Sequence, residues 1–189
     1  CAASVAGLLL ASLSSWWVIS IGVASIAAAW GYTGGKSPYG YKGLGEVSVF
    51  LFFGVIATVG TYYVQTLKIT WLAFSASVPM GALSCALLAI NNIRDRAQDL
   101  LVAKRTLAVR LGDTNSRRFL VLLLASAYLF AALTLKPGAL ITLVTLPIAF
   151  GISRSVMSGV IGKDLIPLLA KTGQLQLLFA LTFAVGLAL

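Results

Sequence analysis

Long apolar runs alternate with short polar segments along the whole chain. The runs lie at about residues 1–12, 14–32, 47–66, 70–91, 117–135, 138–156 and 172–189. Most of them approach the ~20 residues that an α-helix needs to cross ~30 Å of hydrocarbon. Their side chains are apolar without alternation, which favours helices over the strands of a membrane barrel. The pattern therefore predicts an all-α, polytopic transmembrane helical bundle of about seven helices.

The polar segments form two groups, which successive membrane spans would place on opposite faces. Very short links lie on one side, at about residues 12–15, 68 and 136–137. Longer segments lie on the other side, at about residues 33–46, 92–116 and 154–171. These longer loops and their edges carry all five acidic residues and every basic residue except Lys68 and Lys136. Because basic loops are retained on the cytoplasmic side, we expect a multi-pass protein of the cell (inner) membrane with these longer loops in the cytoplasm.

Composition supports a membrane protein and narrows its chemistry. The chain is 59% hydrophobic and 10% charged, whereas a soluble domain carries roughly 25% charged residues. The net charge of +9 is typical of basic loops beside lipid headgroups, so we expect membrane lipid as a partner and no nucleic acid. The absence of histidine excludes an imidazole base. Cys1 and Cys85 lie in apolar runs without metal-ligand spacing, which indicates buried thiols rather than a disulfide.

Two aspartates follow the fourth apolar run, in the stretch NNIRDRAQD at residues 91–99. Asp95 and Asp99 are four residues apart, so a helix would place their Cβ atoms ~5–6 Å apart on one face. Carboxylates this close repel each other unless a cation lies between them, and Mg²⁺ prefers one or two carboxylates together with phosphate oxygens. The spacing suits an Mg²⁺ site. It equally suits a solvated loop in which Arg94 and Arg96 pair with the aspartates.

A basic cluster follows the aspartates in AKRTLAVRLGD, residues 103–113. Lys104, Arg105 and Arg110 could bind a diphosphate, since arginine makes paired contacts with phosphate oxygens and lysine supplies a point charge. The alternative is ordinary for a membrane protein, because basic clusters beside a span commonly hold anionic lipid headgroups. The neighbouring aspartates favour the diphosphate interpretation.

A glycine-rich segment, WGYTGGKSPYGYKGLGE, covers residues 30–46. Its glycines would let backbone N–H groups approach an anion closely. Tyr32, Tyr39 and Tyr41 could stack on an aromatic ring or face a developing carbocation. The alternative is a turn-rich loop with interfacial tyrosines.

Taken together, these stretches resemble the intramembrane aromatic prenyltransferases, the superfamily typified by 4-hydroxybenzoate polyprenyltransferase. The matching stretches are NNIRDRAQD, KRTLAVRLGD, YTGGKSPYGYKGLGE and GTYYVQT (60–66). They resemble most the branch that prenylates 1,4-dihydroxy-2-naphthoate in menaquinone synthesis. The resemblance implies nine helices around a cavity and two aspartate-rich motifs that bind Mg²⁺-diphosphate. By that count, residues 1–189 form a single transmembrane prenyltransferase domain, N-terminally incomplete, without the first two helices and the first motif.

The resemblance also implies roles for individual residues. Asp95 and Asp99 would bind the metal and take part in catalysis. The diphosphate would be bound by Arg94, Lys104, Arg105 and Lys36. The acceptor would be bound or oriented by Asn91, Asn92, Tyr32 and Tyr39. One position departs from the family pattern, because Ala103 stands where a glycine is expected before Lys-Arg-Thr.

The implied activity is Mg²⁺-dependent transfer of a polyprenyl group from polyprenyl diphosphate to 1,4-dihydroxy-2-naphthoate. The products would be demethylmenaquinone, diphosphate and CO₂. Another aromatic acid, 4-hydroxybenzoate or homogentisate, is the alternative acceptor. The alternatives that are not enzymes are a membrane transporter and an assembly subunit. Transporters carry polar groups near the middle of their spans, and these apolar runs are nearly free of charge.

Overall fold

The computed structural model describes residues 2–189, which fold into seven helices joined by short connections. The helices are α1 (Ala2–Leu13), α2 (Trp17–Thr33), α3 (Gly45–Thr66), α4 (Trp71–Leu101), α5 (Leu107–Ala132), α6 (Pro137–Met157) and α7 (Gly162–Ala188). No strand is present within this range. The all-α prediction and the number of helices are confirmed, whereas the prediction for Cys1 lies outside the described residues.

The helices have the length and composition of a multi-pass membrane protein. Four of them, α3, α4, α6 and α7, are long and apolar enough to cross a membrane, and α1 and α2 are shorter apolar helices. In its most apolar part α4 is 67% buried, while the corresponding part of α3 is only 6% buried. The central helix is therefore α4, and few residues of α3 are fully buried.

The core lies where α4 packs against α5 and α7. Leu83, Ile90, Leu120, Leu124 and Phe179 are fully buried there. Helix α4 begins after Thr70, whose hydroxyl accepts a hydrogen bond from the third residue of the helix at 3.2 Å. Much of its buried face consists of alanine, glycine and serine. Small residues allow close helix packing in lipid, where dispersion rather than the hydrophobic effect drives helix association.

Helices α3 and α4 approach most closely at a pair of glycines. A Cβ atom on Gly54 would lie 2.5 Å from the Cα atom of Gly81 and 3.2 Å from the carbonyl oxygen of Ser77. Carbon atoms in van der Waals contact are ~3.5–4.0 Å apart, so the two backbones can approach this far only because neither position carries a side chain. Gly54 lies within a π-helical stretch of α3 at Phe50–Ile56.

A buried arginine joins α5 to the end of α6. The guanidinium of Arg117 is 4% exposed, and it donates hydrogen bonds to the carbonyl oxygens of Val156 at 2.6 Å and Val160 at 2.9 Å. It also pairs with Asp113, at 2.7 Å between Nε and Oδ2. The last carbonyl groups of a helix have no partner within the helix and carry partial negative charge, so a cation satisfies them well. Arg117 thereby fixes the turn between α6 and α7.

Two of the three long polar loops predicted from the sequence are wrong, because most of their residues are helical. Residues 92–101 continue α4, and residues 107–116 belong to α5, which is kinked at Gly112, where φ is 75° and ψ is 177°. The loop expected at 92–116 therefore contracts to residues 102–106 and this kink. The loop expected at 154–171 contracts similarly, to residues 158–161. Apolar runs mark only the part of a helix inside the hydrocarbon. Arginine, glutamine and leucine are good helix formers, so the helices continue beyond it.

Candidate functional site at the polar end of α4

A small polar cavity lies at the end of α4, beneath the glycine-rich segment. Its volume is about 210 Å³, and its walls come from α2, the short turn at Tyr39–Lys42, α4 and the segment 102–106. The lining residues are Tyr32, Thr33, Gly40, Tyr41, Leu88, Asn91, Asn92, Asp95, Asp99, Lys104 and Thr106. Six of the ten residues to which the resemblance assigns a role therefore share one cavity: both aspartates, both asparagines, Lys104 and Tyr32.

The two aspartates have different surroundings. Asp95 forms a paired contact with Arg94, from Nε at 2.7 Å and Nη2 at 2.8 Å, and accepts a longer hydrogen bond from Asn91 at 3.4 Å. Asp99 is buried, with Lys104 Nζ and Thr106 Oγ1 both 3.5 Å from its carboxylate oxygens. Contacts of 3.5 Å are at the limit for a hydrogen bond, so Asp99 is held less tightly than Asp95.

The interpretation in which arginines pair with the aspartates holds for Arg94. Arg96 instead lies 3.7 Å from Asp113, away from the cavity.

The five-residue connection between α4 and α5 holds Lys104 against the cavity. The backbone N–H of Lys104 donates to the carbonyl oxygen of Asp99 at 2.9 Å, and its ammonium group lies 4.7 Å from the centre of the Tyr41 ring. The backbone N–H of Arg105 donates to the carbonyl oxygen of Tyr41 at 2.8 Å. Ala103 adopts the left-handed conformation, with φ of 56°. Glycine favours that conformation, which explains why the family pattern leads one to expect glycine there.

Three of the predicted diphosphate ligands lie outside the cavity. Lys36 is exposed in the loop between α2 and the turn. The side chain of Arg105 is also exposed, and its backbone carbonyl accepts a hydrogen bond from Arg110 at 3.2 Å. Arg94 reaches the site only through its contact with Asp95. Of the four cations proposed for the diphosphate, Lys104 alone lines the cavity.

A larger apolar cavity adjoins the polar one across Tyr32. Its volume is about 500 Å³, and it lies between α2 and α3. Its lining residues are Ser25, Ala29, Tyr32, Tyr39, Ser48, Val49, Phe52 and Phe53. Tyr32 lines both cavities, and its ring meets the ring of Tyr39 edge-on, with 5.5 Å between centroids. The Tyr39 hydroxyl donates to the carbonyl oxygen of Ala28 at 2.8 Å. Tyr39 thus faces the apolar cavity and not the polar one.

Two residues of the site were not singled out from the sequence. Thr106 lines the cavity beside Asp99. Glu46, at the start of α3, is 7% exposed and accepts a hydrogen bond from Asn92 Nδ2 at 3.0 Å. The signal for Glu46 was present, because a carboxylate immediately before an apolar run is expensive to place at a membrane boundary and marks a functional position.

The residues around the cavity fit Mg²⁺ as part of a shared site. Carboxylate and amide oxygens are the hard ligands that Mg²⁺ accepts, usually together with substrate phosphate oxygens. Within residues 2–189, no group of three or more acidic, histidine or cysteine side chains could hold a metal ion alone. Two carboxylates and two amides therefore suit a metal that is also bound by a diphosphate.

Comparison with known proteins identifies the family. The profile of the UbiA prenyltransferase family matches residues 1–164. The chain belongs to this family. It is 44% identical, over 98% of its length, to the 1,4-dihydroxy-2-naphthoate octaprenyltransferase of Mycobacterium tuberculosis, and 36% identical, over 89%, to the enzyme of that name from Escherichia coli. The chain spans 64% of the first of these proteins and 56% of the second. No solved structure matches it.

Proposed function

We propose that this chain is the greater part of a polyprenyltransferase that joins a polyprenyl group to 1,4-dihydroxy-2-naphthoate. The observation that carries the proposal is the pair of adjoining cavities. A polar cavity with two aspartates and Lys104 adjoins an apolar cavity, and Tyr32 forms the boundary between them. A polyprenyl diphosphate has the same polarity, with a charged headgroup and an apolar chain. The names of the two relatives support the choice of acceptor.

The polar cavity would bind the diphosphate as the leaving group. Lys104 supplies positive charge beside Asp99, and its position is fixed by the backbone contact and by the Tyr41 ring. Asp95 and Asp99, with amide oxygens from Asn91 and Asn92, would hold Mg²⁺. When bound, Mg²⁺ neutralises the negative charge that develops on the diphosphate as the C–O bond breaks. Fixed charges aimed at developing charge are often the largest contribution to catalysis.

The tyrosines at the boundary between the cavities would assist formation of the new carbon–carbon bond. Loss of diphosphate leaves an allylic cation, and the faces of Tyr32 and Tyr39 offer negative electrostatic potential to a cation. The apolar walls exclude water, which would otherwise capture the cation. The electron-rich ring of the acceptor attacks the cation, and the new bond forms at the carbon that carries the carboxyl group. That group leaves as CO₂ and its electron pair restores the aromatic ring, so the transfer needs no oxidant and gives the hydroquinone, demethylmenaquinol. The quinone, demethylmenaquinone, forms from it by a separate two-electron oxidation outside this site.

We place this site at the cytoplasmic face of the cell (inner) membrane. Support comes from the distribution of charge, because the cavity lies on the side of the bundle where the basic segments cluster. Membrane lipid would contact the exposed apolar side chains of α3, such as Val47, Leu51 and Phe53.

The test uses the full-length protein in membranes or detergent. Labelled polyprenyl diphosphate is offered with 1,4-dihydroxy-2-naphthoate, 4-hydroxybenzoate or homogentisate, with and without Mg²⁺. We expect transfer to the naphthoate, release of CO₂, and loss of activity with a chelator. Preference for either other acid would refute the choice of acceptor. Absence of transfer to all three would favour a transporter or an assembly subunit.

A further inference from the structure

Glu46 makes an unusual contact behind the polar cavity. Its Oε1 atom accepts the hydrogen bond from Asn92 Nδ2, and the two side chains lie 46 positions apart on α3 and α4. Its second oxygen, Oε2, is buried. Within residues 2–189 it is the one buried side-chain oxygen or nitrogen without a hydrogen-bond partner. An unpaired buried carboxyl oxygen destabilises a fold, so an apolar side chain at this position would serve packing better.

The contact determines which way the Asn92 amide faces. An asparagine side chain offers an NH₂ group that donates and one oxygen that accepts. Here the NH₂ group is directed at Glu46, and within residues 2–189 no group donates to the amide oxygen. Asn92 is 8% exposed and lines the cavity together with Asp95 and Asp99. The amide oxygen is therefore the atom that Asn92 can present to the cavity.

We propose that Glu46 is a positioning residue that orients Asn92, so that the Asn92 amide oxygen acts with Asp95 and Asp99 as a third oxygen donor toward the Mg²⁺-bound headgroup. The inference rests on the proposed function and adds to it a role for Glu46, which makes the amide oxygen of Asn92, and not its NH₂ group, face the cavity. Mutation of a group that orients a metal ligand typically lowers metal affinity or activity by ~10–100-fold.

A second contact at the same residue provides a matched control. The thiol of Cys85, 2% exposed, donates to the backbone carbonyl oxygen of Glu46 at 3.1 Å. It supports the backbone of Glu46 and does not touch the contact between the Glu46 and Asn92 side chains. Cys85→Ala therefore removes a different buried contact between α3 and α4 and leaves the hydrogen bond between the Glu46 and Asn92 side chains in place.

The experiment measures binding of labelled inorganic pyrophosphate to the purified full-length protein over a series of Mg²⁺ concentrations. For Glu46→Leu we expect the Mg²⁺-dependent affinity to fall ~10–100-fold, as for other residues that orient metal ligands. Asn92→Leu should lower this affinity by a similar factor. The affinity of the double variant should be little lower than that of either single variant, because the effects of two residues that act through one contact are not additive. Cys85→Ala should stay within about threefold of wild type, since the amide remains oriented.

Glu46→Gln distinguishes orientation from charge. Its amide oxygen can still accept the hydrogen bond from Asn92, so we expect pyrophosphate affinity within about threefold of wild type. This variant also tests the proposal if the leucine variant fails to fold. Wild-type binding by Glu46→Leu would overturn the inference. So would an equal loss in Glu46→Gln, or losses that multiply in the double variant.

The binding assay contains neither an acceptor nor a prenyl chain. Failure of the proposed acceptor therefore shows only in the transfer assay, and failure of the role of Glu46 shows only in pyrophosphate binding.

Discussion

Replacement of Gly54 by alanine should force apart the two helices that carry the candidate site. The new Cβ atom would lie 2.5 Å from Gly81 Cα and 3.0 Å from Gly81 N. Relief of contacts this short requires the backbones of α3 and α4 to separate by about 1 Å, because carbon atoms pack at ~3.5–4.0 Å. Overpacking of this kind costs ~1–3 kcal/mol, and the better helix propensity of alanine offsets only ~0.5–1 kcal/mol.

The separation should also reach the site. Glu46 lies eight residues before Gly54 on α3, a rise of ~12 Å, and its contact with Asn92 on α4 is 3.0 Å long. A separation of even half the expected size would lengthen that contact to the limit of hydrogen bonding. We therefore expect Gly54→Ala to lose ~10-fold in transfer activity, comparable with loss of a residue that orients a metal ligand.

The assay combines thermal unfolding of the full-length protein in detergent with the rate of transfer. Gly54→Ala should lower the unfolding midpoint by about 2–10 °C. Gly60 is the matched control, because it lies on the same helix with no atom within 4 Å of a new Cβ. Gly81→Ala should be intermediate, since its closest contact, at 2.8 Å, is the Phe50 ring, which can rotate. If Gly54→Ala proved as stable and active as Gly60→Ala, the close packing of α3 and α4 described above would be refuted.

Three further predictions concern the charged residues. Asp99→Asn in the full-length enzyme should lower turnover ~10²–10³-fold at limiting Mg²⁺ without changing the unfolding midpoint, and full activity would exclude Asp99 from the site. Arg117→Met leaves the carbonyl oxygen of Val160 without its side-chain donor and that of Val156 with only the 3.3 Å contact from the backbone N–H of Gly159. It should therefore cost ~1–3 kcal/mol in unfolding measurements, whereas the exposed neighbour Arg118→Met should be nearly neutral. Cysteines placed at Lys42 and Lys163 should both react with an impermeant thiol reagent from the cytoplasmic side, and labelling from opposite sides would contradict the topology.

Much of the architecture could be read from the order of the residues alone. Seven apolar runs became seven helices because a span must satisfy its own backbone hydrogen bonds and cover its own length of hydrocarbon, and both requirements are local. The four-residue spacing of Asp95 and Asp99 likewise placed both carboxylates at one cavity. The unusual alanine at position 103 was visible as a departure from the family pattern, and its left-handed backbone supplies the reason.

The tertiary structure decided how these pieces meet. The helices continue beyond the hydrocarbon, so Asp95 and Asp99 stand on the rigid end of α4 and not in a loop. From the sequence, Lys36 and Arg105 are as good candidates for binding the diphosphate as Lys104, yet of the three only Lys104 lines the cavity. The contact between Glu46 and Asn92 depends on how closely α3 crosses α4, and that distance is determined by two glycines far from either residue. Local patterns determine the helices, but side chains on different helices meet only where packing brings their backbones together.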